Sequence, residues 1–178
     1  MAEKWKDRKL SRLERLAASI EAVKDQDLQA IEESRRVAAL RVRAAVELHA
    51  VCSRFARDLN ARLSEASVTL DPPAYAERNY NDQGLSLFQL ALRGRLLQIE
   101  FEATEELSST EDFRRPYIMK GTVRSFNQRL LDRHTVYEHG LYYCPKGSEA
   151  HWHYFDGRTY RTGRLTEDFL ARELEKLL

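Results

Sequence analysis

Residues able to do chemistry gather in Ala150–Tyr160, AHWHYFDGRTY, where His151 and His153 flank Trp152. Residues two apart in a strand point to one face, so an H-x-H pair can offer two imidazoles to one metal ion. A site needs further ligands, and Cys144, His139, Glu138 and His134 are the candidates. Register decides between them. A four-residue loop after Cys144 sets it opposite Glu149, on the histidines' face. A five-residue loop sets it opposite Ala150, facing away, because a slip of one residue changes sides. His151, His153 and Cys144 are thus metal candidates on one register only. The simpler reading is two strand histidines facing solvent, with no metal and no cofactor.

A second chemistry in this region is base stacking. Tyr142, Tyr143, Trp152, Tyr154 and Phe155 lie near Arg158, Arg161 and Arg164. Aromatics on an open sheet stack bases, and arginines hold phosphates. Another basic edge runs along the helical half, with Arg35, Arg36, Arg41, Arg43, Arg54, Arg57 and Arg62. Glu47, Asp58 and Glu65 interleave there at ion-pair spacing. There is no RNP-like run, GxxG loop or zinc knuckle, and strand aromatics are commonly packing residues. Trp152 and Tyr154 share a face and are expected to bury it.

Signatures of catalysis are missing. The chain has no P-loop, no GxGxxG after a strand, no GxSxG elbow and no HExxH helix. Cys144 could pair with His134, His139 or His151 as thiol and imidazole. A cysteine ending a strand before a proline reads more simply as structural. The balance of evidence points away from an enzyme.

The elements that position these residues follow from composition. The 178 residues carry a formal net charge of +1, so no overall field favours nucleic acid or anionic lipid. The two cysteines form neither a disulfide framework nor a CxxC pair. The N-terminus, MAEKWKDRKLSRLERL, has charges where a signal peptide needs an apolar core. It is basic, amphipathic and carries Trp5, yet its interspersed acids argue against membrane contact. A soluble, cytoplasmic protein is expected.

Glycine and proline are absent up to Asp71 and regular afterwards. Two regions are expected: helical over 1–71, and an antiparallel sheet with a C-terminal helix over 72–178. In the first, Leu13, Leu16, Ile20 and Val23 form an apolar stripe that can continue through Leu28 and Ile31. The polar patch Lys24–Asp27 favours two helices, with one long helix as the alternative. Val37–Leu63 is apolar over more than one stripe. Val37, Leu40, Ala44, Leu48, Val51, Phe55 and Leu59 make one face, and Ala38, Val42, Ala45, Cys52 and Ala56 widen it. That width calls for cover on two sides.

In the second region, Phe88, Leu90 and Leu92 alternate, and Gly94-Arg95 suits a tight type II′ turn. Leu97, Ile99 and Phe101 point inward on the return strand. An acidic loop is expected over Glu105–Asp112, then a strand with a close approach at Gly121. Asn127–Arg133 is ambiguous between a helical turn and strand. A hairpin around Cys144, a short strand over Thr159–Thr162 and a helix capped by Thr166 complete the chain. The fold class is α+β: long N-terminal helices, as a hairpin or short bundle, packed with a meander of about five strands and a C-terminal helix.

Together these features suggest a non-catalytic interaction or assembly protein that self-associates through its N-terminal helices. Val37, Leu40, Leu48, Val51, Phe55 and Leu59 are the interface candidates, with a second copy or another protein as partner. The alternative is a nucleic-acid-binding accessory protein using Arg35, Arg36, Arg158 and Arg161 with the aromatic strands.

Overall fold

A computed structural model of the chain describes residues 11–65, 67–145 and 150–178. Two compact units emerge, residues up to Val37 and Ala38–Leu178, although glycine and proline first appear much later in the chain.

Helix α1, Arg12–Asn60, is one element of 49 residues, not the expected pair. Ser11 and Glu14 form a capping box at its start. The Glu14 backbone N–H donates to Ser11 Oγ at 3.1 Å, and Ser11 N–H donates to Glu14 Oε2 at 2.6 Å. The KDQD patch does not break the helix. It contains no glycine or proline, and Lys24 lies 3.9 Å from Glu21 one turn earlier. Asn60 ends the helix by accepting from the N–H groups of Ser67 and Val68 through its side-chain oxygen.

In the unit Ala38–Leu178, seven strands form one antiparallel sheet in sequence order. They are β1 Val68–Asp71, β2 Ser86–Leu92, β3 Arg95–Ser108, β4 Tyr117–Asn127, β5 Tyr137–Cys144, β6 His151–Asp156 and β7 Arg161–Arg164. The expected count of about five falls short for physical reasons. VTLD is too short to show a period and sits beside the helical run it follows. β3 continues through Glu105 and Glu106 to Ser108, so half of the expected acidic loop is strand. The β2–β3 turn also differs from expectation. Leu92 pairs with Arg95, leaving Arg93 and Gly94 as the turn residues, both at positive φ (46° and 79°). That is the requirement of a type I′ turn, not a II′ turn.

Alternation places the core on one face. Phe88, Leu90, Leu97, Ile99, Phe101, Met119, Val123, Leu141, Tyr143 and Trp152 are all buried there. Edge-to-face contacts link Phe88 to Phe101, Phe101 to Trp152 and Trp152 to Tyr143, at centroid distances of 5.1, 5.3 and 5.4 Å. Gly121 faces Phe101 and Leu141. A Cβ there would sit 1.9 Å from the Glu100 carbonyl oxygen, so this close approach excludes any side chain.

Two helices cover the core face. The Ala38–Asn60 part of α1 presents Ala44, Ala45, Leu48, Cys52, Phe55 and Ala56, and the Trp152 indole N–H donates to the Ala44 carbonyl at 2.8 Å. The short helix α2, Gln128–Leu131, is capped by Asn127 and resolves the ambiguous segment as helical. Helix α3, Glu167–Glu175, starts at the Thr166 cap. Its Phe169 stacks on Tyr154 at 4.3 Å. The opposite sheet face carries a charged ladder, with Arg124 3.4 Å from Glu100 and 2.7 Å from Glu138.

Candidate functional site

The histidine face comes first, because register decided its chemistry. Cys144 pairs with His151, and Tyr142 with His153, a pairing neither expected loop length gives. Directly paired residues share a face, so Cys144, His151 and His153 do lie on one side of the sheet. That side is not open. Phe113, from the segment after β3, stacks on Tyr142 at 4.2 Å and joins Tyr117, Cys144 and Phe155 in a second, smaller apolar cluster. Arg115 Nη1 lies 3.0 Å from His153 Nε2, and His153 Nδ1 lies 3.1 Å from the His151 carbonyl.

Burial, followed by the Arg115 charge, pushes the His153 pKa down, the His151 backbone contact opposing only in part. Burial pushes the Cys144 thiol up to about 11, against a smaller opposing effect of Arg115. The Arg115 guanidinium thus stands against the His153 ring nitrogen, and Cys144 is buried in the Phe113 cluster. His139 is placed elsewhere, on the core face against α3. Among the described residues no group of three or more metal-ligating side chains converges.

The stacking surface is likewise committed to packing. Tyr143, Trp152 and Phe155 are buried, Tyr142 stacks on Phe113 and Tyr154 on Phe169. Of the arginine candidates, Arg36 pairs with Glu33 at 3.4 Å and Arg158 lies 3.9 Å from Asp156. Arg35 and Arg161 are exposed. Arg43 and Arg54 pair with Glu47 and Glu167, at 3.3 and 3.0 Å.

The six interface candidates on α1 divide in two. Leu48 is fully buried and Phe55 is 7 % exposed. Both are core residues of their own chain, and truncating either creates a cavity costing about 3 kcal/mol. Val37, Leu40, Val51 and Leu59 are half-buried. Of the apolar width over Val37–Leu63 that suggested a partner, Ala44, Ala45, Leu48, Cys52, Phe55 and Ala56 are buried, while Val37, Leu40, Val42, Val51 and Leu59 are half-buried.

Arg41, assigned by sequence to the solvent edge, is 8 % exposed. Its guanidinium donates to the carbonyls of Ile118 (3.2 Å) and Thr104, and to Asp82 at 3.0 and 3.3 Å. Spacing carried the signal: Arg41 precedes Ala44, Ala45, Leu48, Cys52 and Phe55 at three- and four-residue steps. A second buried polar group joins α3 to the sheet. Glu173 Oε2 accepts from Ser125 Oγ at 3.0 Å, and Oε1 lies 2.9 Å from His139 Nε2 and 2.6 Å from Lys176 Nζ. Glu173 carries the same signal as Arg41, four residues after Phe169, three after Leu170 and four before Leu177 on the buried face of the helix.

The unit ending at Val37 tells the opposite story. Leu13, Leu16, Ile20, Val23, Leu28 and Ile31 lie on one side of α1 and are 49–76 % exposed. Leu16, Ile20, Val23, Leu28 and Ile31 border one shallow apolar groove, whose charged members are Lys24 and Asp27. Scattered exposed leucines are ordinary, but these six form a continuous exposed stripe over five turns of helix. Helical spacing reveals this stripe, but the interface candidates Val37–Leu59 lie in the segment after it. Trp5, where interspersed acids argue against membrane contact, lies outside the described residues.

No described helix is long and apolar enough to cross a membrane. No protein-family model, curated protein or solved structure matches this chain.

Proposed function

We propose that this is a non-catalytic assembly protein that self-associates through the N-terminal part of α1, with the sheet and α3 as its folded body. The observation that supports this reading is the exposed stripe Leu13–Ile31. An amphipathic helix of that length is marginal in water by itself and draws most of its stability from burying its apolar face. Each isoleucine or leucine removed from water contributes about 1.5–3 kcal/mol.

The interface moves from the sequence candidates to this stripe. Leu48 and Phe55 hold the body together, while Ile20, Val23, Leu28 and Ile31 meet the partner. Light scattering on the full chain tests the reading. The expected mass exceeds the single-chain 20.8 kDa. Ile20→Glu is expected to lower the mass to one chain while the unfolding midpoint of the sheet persists. A single-chain mass for the unsubstituted protein at all concentrations removes the proposal.

A further inference from the structure

We propose that the partner of the exposed stripe is a second copy of this chain, paired antiparallel about a two-fold axis passing between Asp25 and Gln26. The proposal rests on the self-association reading and goes further by fixing partner, polarity and register.

Charge complementarity within an apolar groove selects this arrangement. Lys24 and Asp27 are the charged members of the groove, flanked by Ile20 and Val23 before them and Leu28 and Ile31 after them. In an antiparallel pair, residues equidistant from the axis stand level. Ile20 then meets the partner's Ile31, Val23 meets the partner's Leu28, and Lys24 meets the partner's Asp27. Two-fold symmetry repeats each pair, as an isologous interface requires. Ile20, Val23, Leu28 and Ile31 meet apolar residues and both charges meet their opposites, while Leu16 stands level with the partner's Arg35. The Lys24 contact to Glu21 at 3.9 Å is long and exposed, so it leaves the ammonium available.

Other arrangements fail on the same residues. A parallel in-register pair sets Lys24 against Lys24 and Asp27 against Asp27, which is unfavourable at close range. Sliding the antiparallel partner by three residues in either direction brings one of these like-charge pairs onto the axis. The spacing also suits straight helices. Ile20 and Ile31 are eleven residues apart, three turns at 3.67 residues each, so the stripe needs little supercoiling to stay at the contact.

The test mixes two full-length variants, Ile20→Cys and Ile31→Cys, under mild oxidation, with peptide mass spectrometry to read the bridges and light scattering to read the mass. Cys52 and Cys144 are buried and stay unbridged. The proposal expects a 20-to-31 bridge and no 20-to-20 bridge, because in this register two copies of residue 20 are about 16 Å apart along the axis, beyond disulfide reach. Bridges of 20-to-20 and 31-to-31 overturn the polarity, and a dimer with no bridge overturns the register, both leaving self-association standing. A single-chain mass overturns both proposals. Charge exchange gives an independent arm. Asp27→Lys is expected to weaken the dimer roughly tenfold, and Lys24→Asp/Asp27→Lys to restore it. Failure of the double exchange to restore it argues for a parallel pair.

Discussion

His139 Nε2 lies 2.9 Å from Glu173 Oε1, with both side chains at most 5 % exposed. Burial alone pushes the Glu173 carboxyl up, but its contacts with His139 and Lys176 together outweigh this and hold it below its ordinary value of 4.5. The folded state therefore releases this proton more readily than the unfolded chain. Stability from the group is complete above pH 4.5 and is lost as pH falls through the lower folded value. Glu173→Gln should flatten the acid limb of a stability-against-pH curve measured by urea unfolding. Glu173→Ala should cost about 3 kcal/mol at neutral pH, since it leaves polar partners buried.

Arg41 should behave as a core residue despite its charge. Arg41→Ala strands the carbonyls of Thr104 and Ile118, and a loss of about 3 kcal/mol in chemical unfolding is expected. Arg41→Lys should recover less than half of it. An ammonium lacks the planar fork that reaches two carbonyls and the Asp82 carboxylate together.

Gly121→Ala is expected to destabilise by about 3 kcal/mol or more, because its methyl would meet backbone, the Glu100 carbonyl, at 1.9 Å. In a chain of this size that lowers the thermal midpoint by roughly 6–12 °C. The strands cannot separate locally without breaking the β3–β4 ladder. A thermal melt within 2 °C of the parent would show that the close approach relaxes cheaply.

Both thiols should be silent in the folded protein. Burial pushes Cys52 up to about 12 and Cys144 up to about 11, so thiolate is scarce at pH 8 and reagent access is blocked. Timed labelling with a chromogenic disulfide should show no thiol until denaturant is added, then two per chain. Rapid reaction of one thiol in the native state would place Cys144 outside the Phe113 cluster.

Much of the fold was legible where side chains alternate or recur. Leu97, Ile99 and Phe101 announced β3, and Thr166 followed by two acids announced α3. What escaped had no period to reveal it. VTLD is four residues long, Glu105 and Glu106 are polar on an extended strand, and the Cys144–His151 pairing depends on a loop path that composition does not encode. Arg41 hid because a charge was read as solvent, although its spacing placed it on the buried face. The candidate surface was half legible. The stripe Leu13–Ile31 was plain from helical spacing, but whether a neighbouring stripe is covered is a tertiary fact. Only the sheet's burial of Leu48 and Phe55 showed which part of α1 remained exposed.

Self-association is decided by sedimentation equilibrium on the full chain. A mass of twice 20.8 kDa is expected at micromolar concentration, falling to one chain for Ile20→Glu/Ile31→Glu with the unfolding transition of the body retained. A single-chain mass for the unsubstituted protein across the accessible range, with Leu13 to Ile31 still open to solvent, would contradict it.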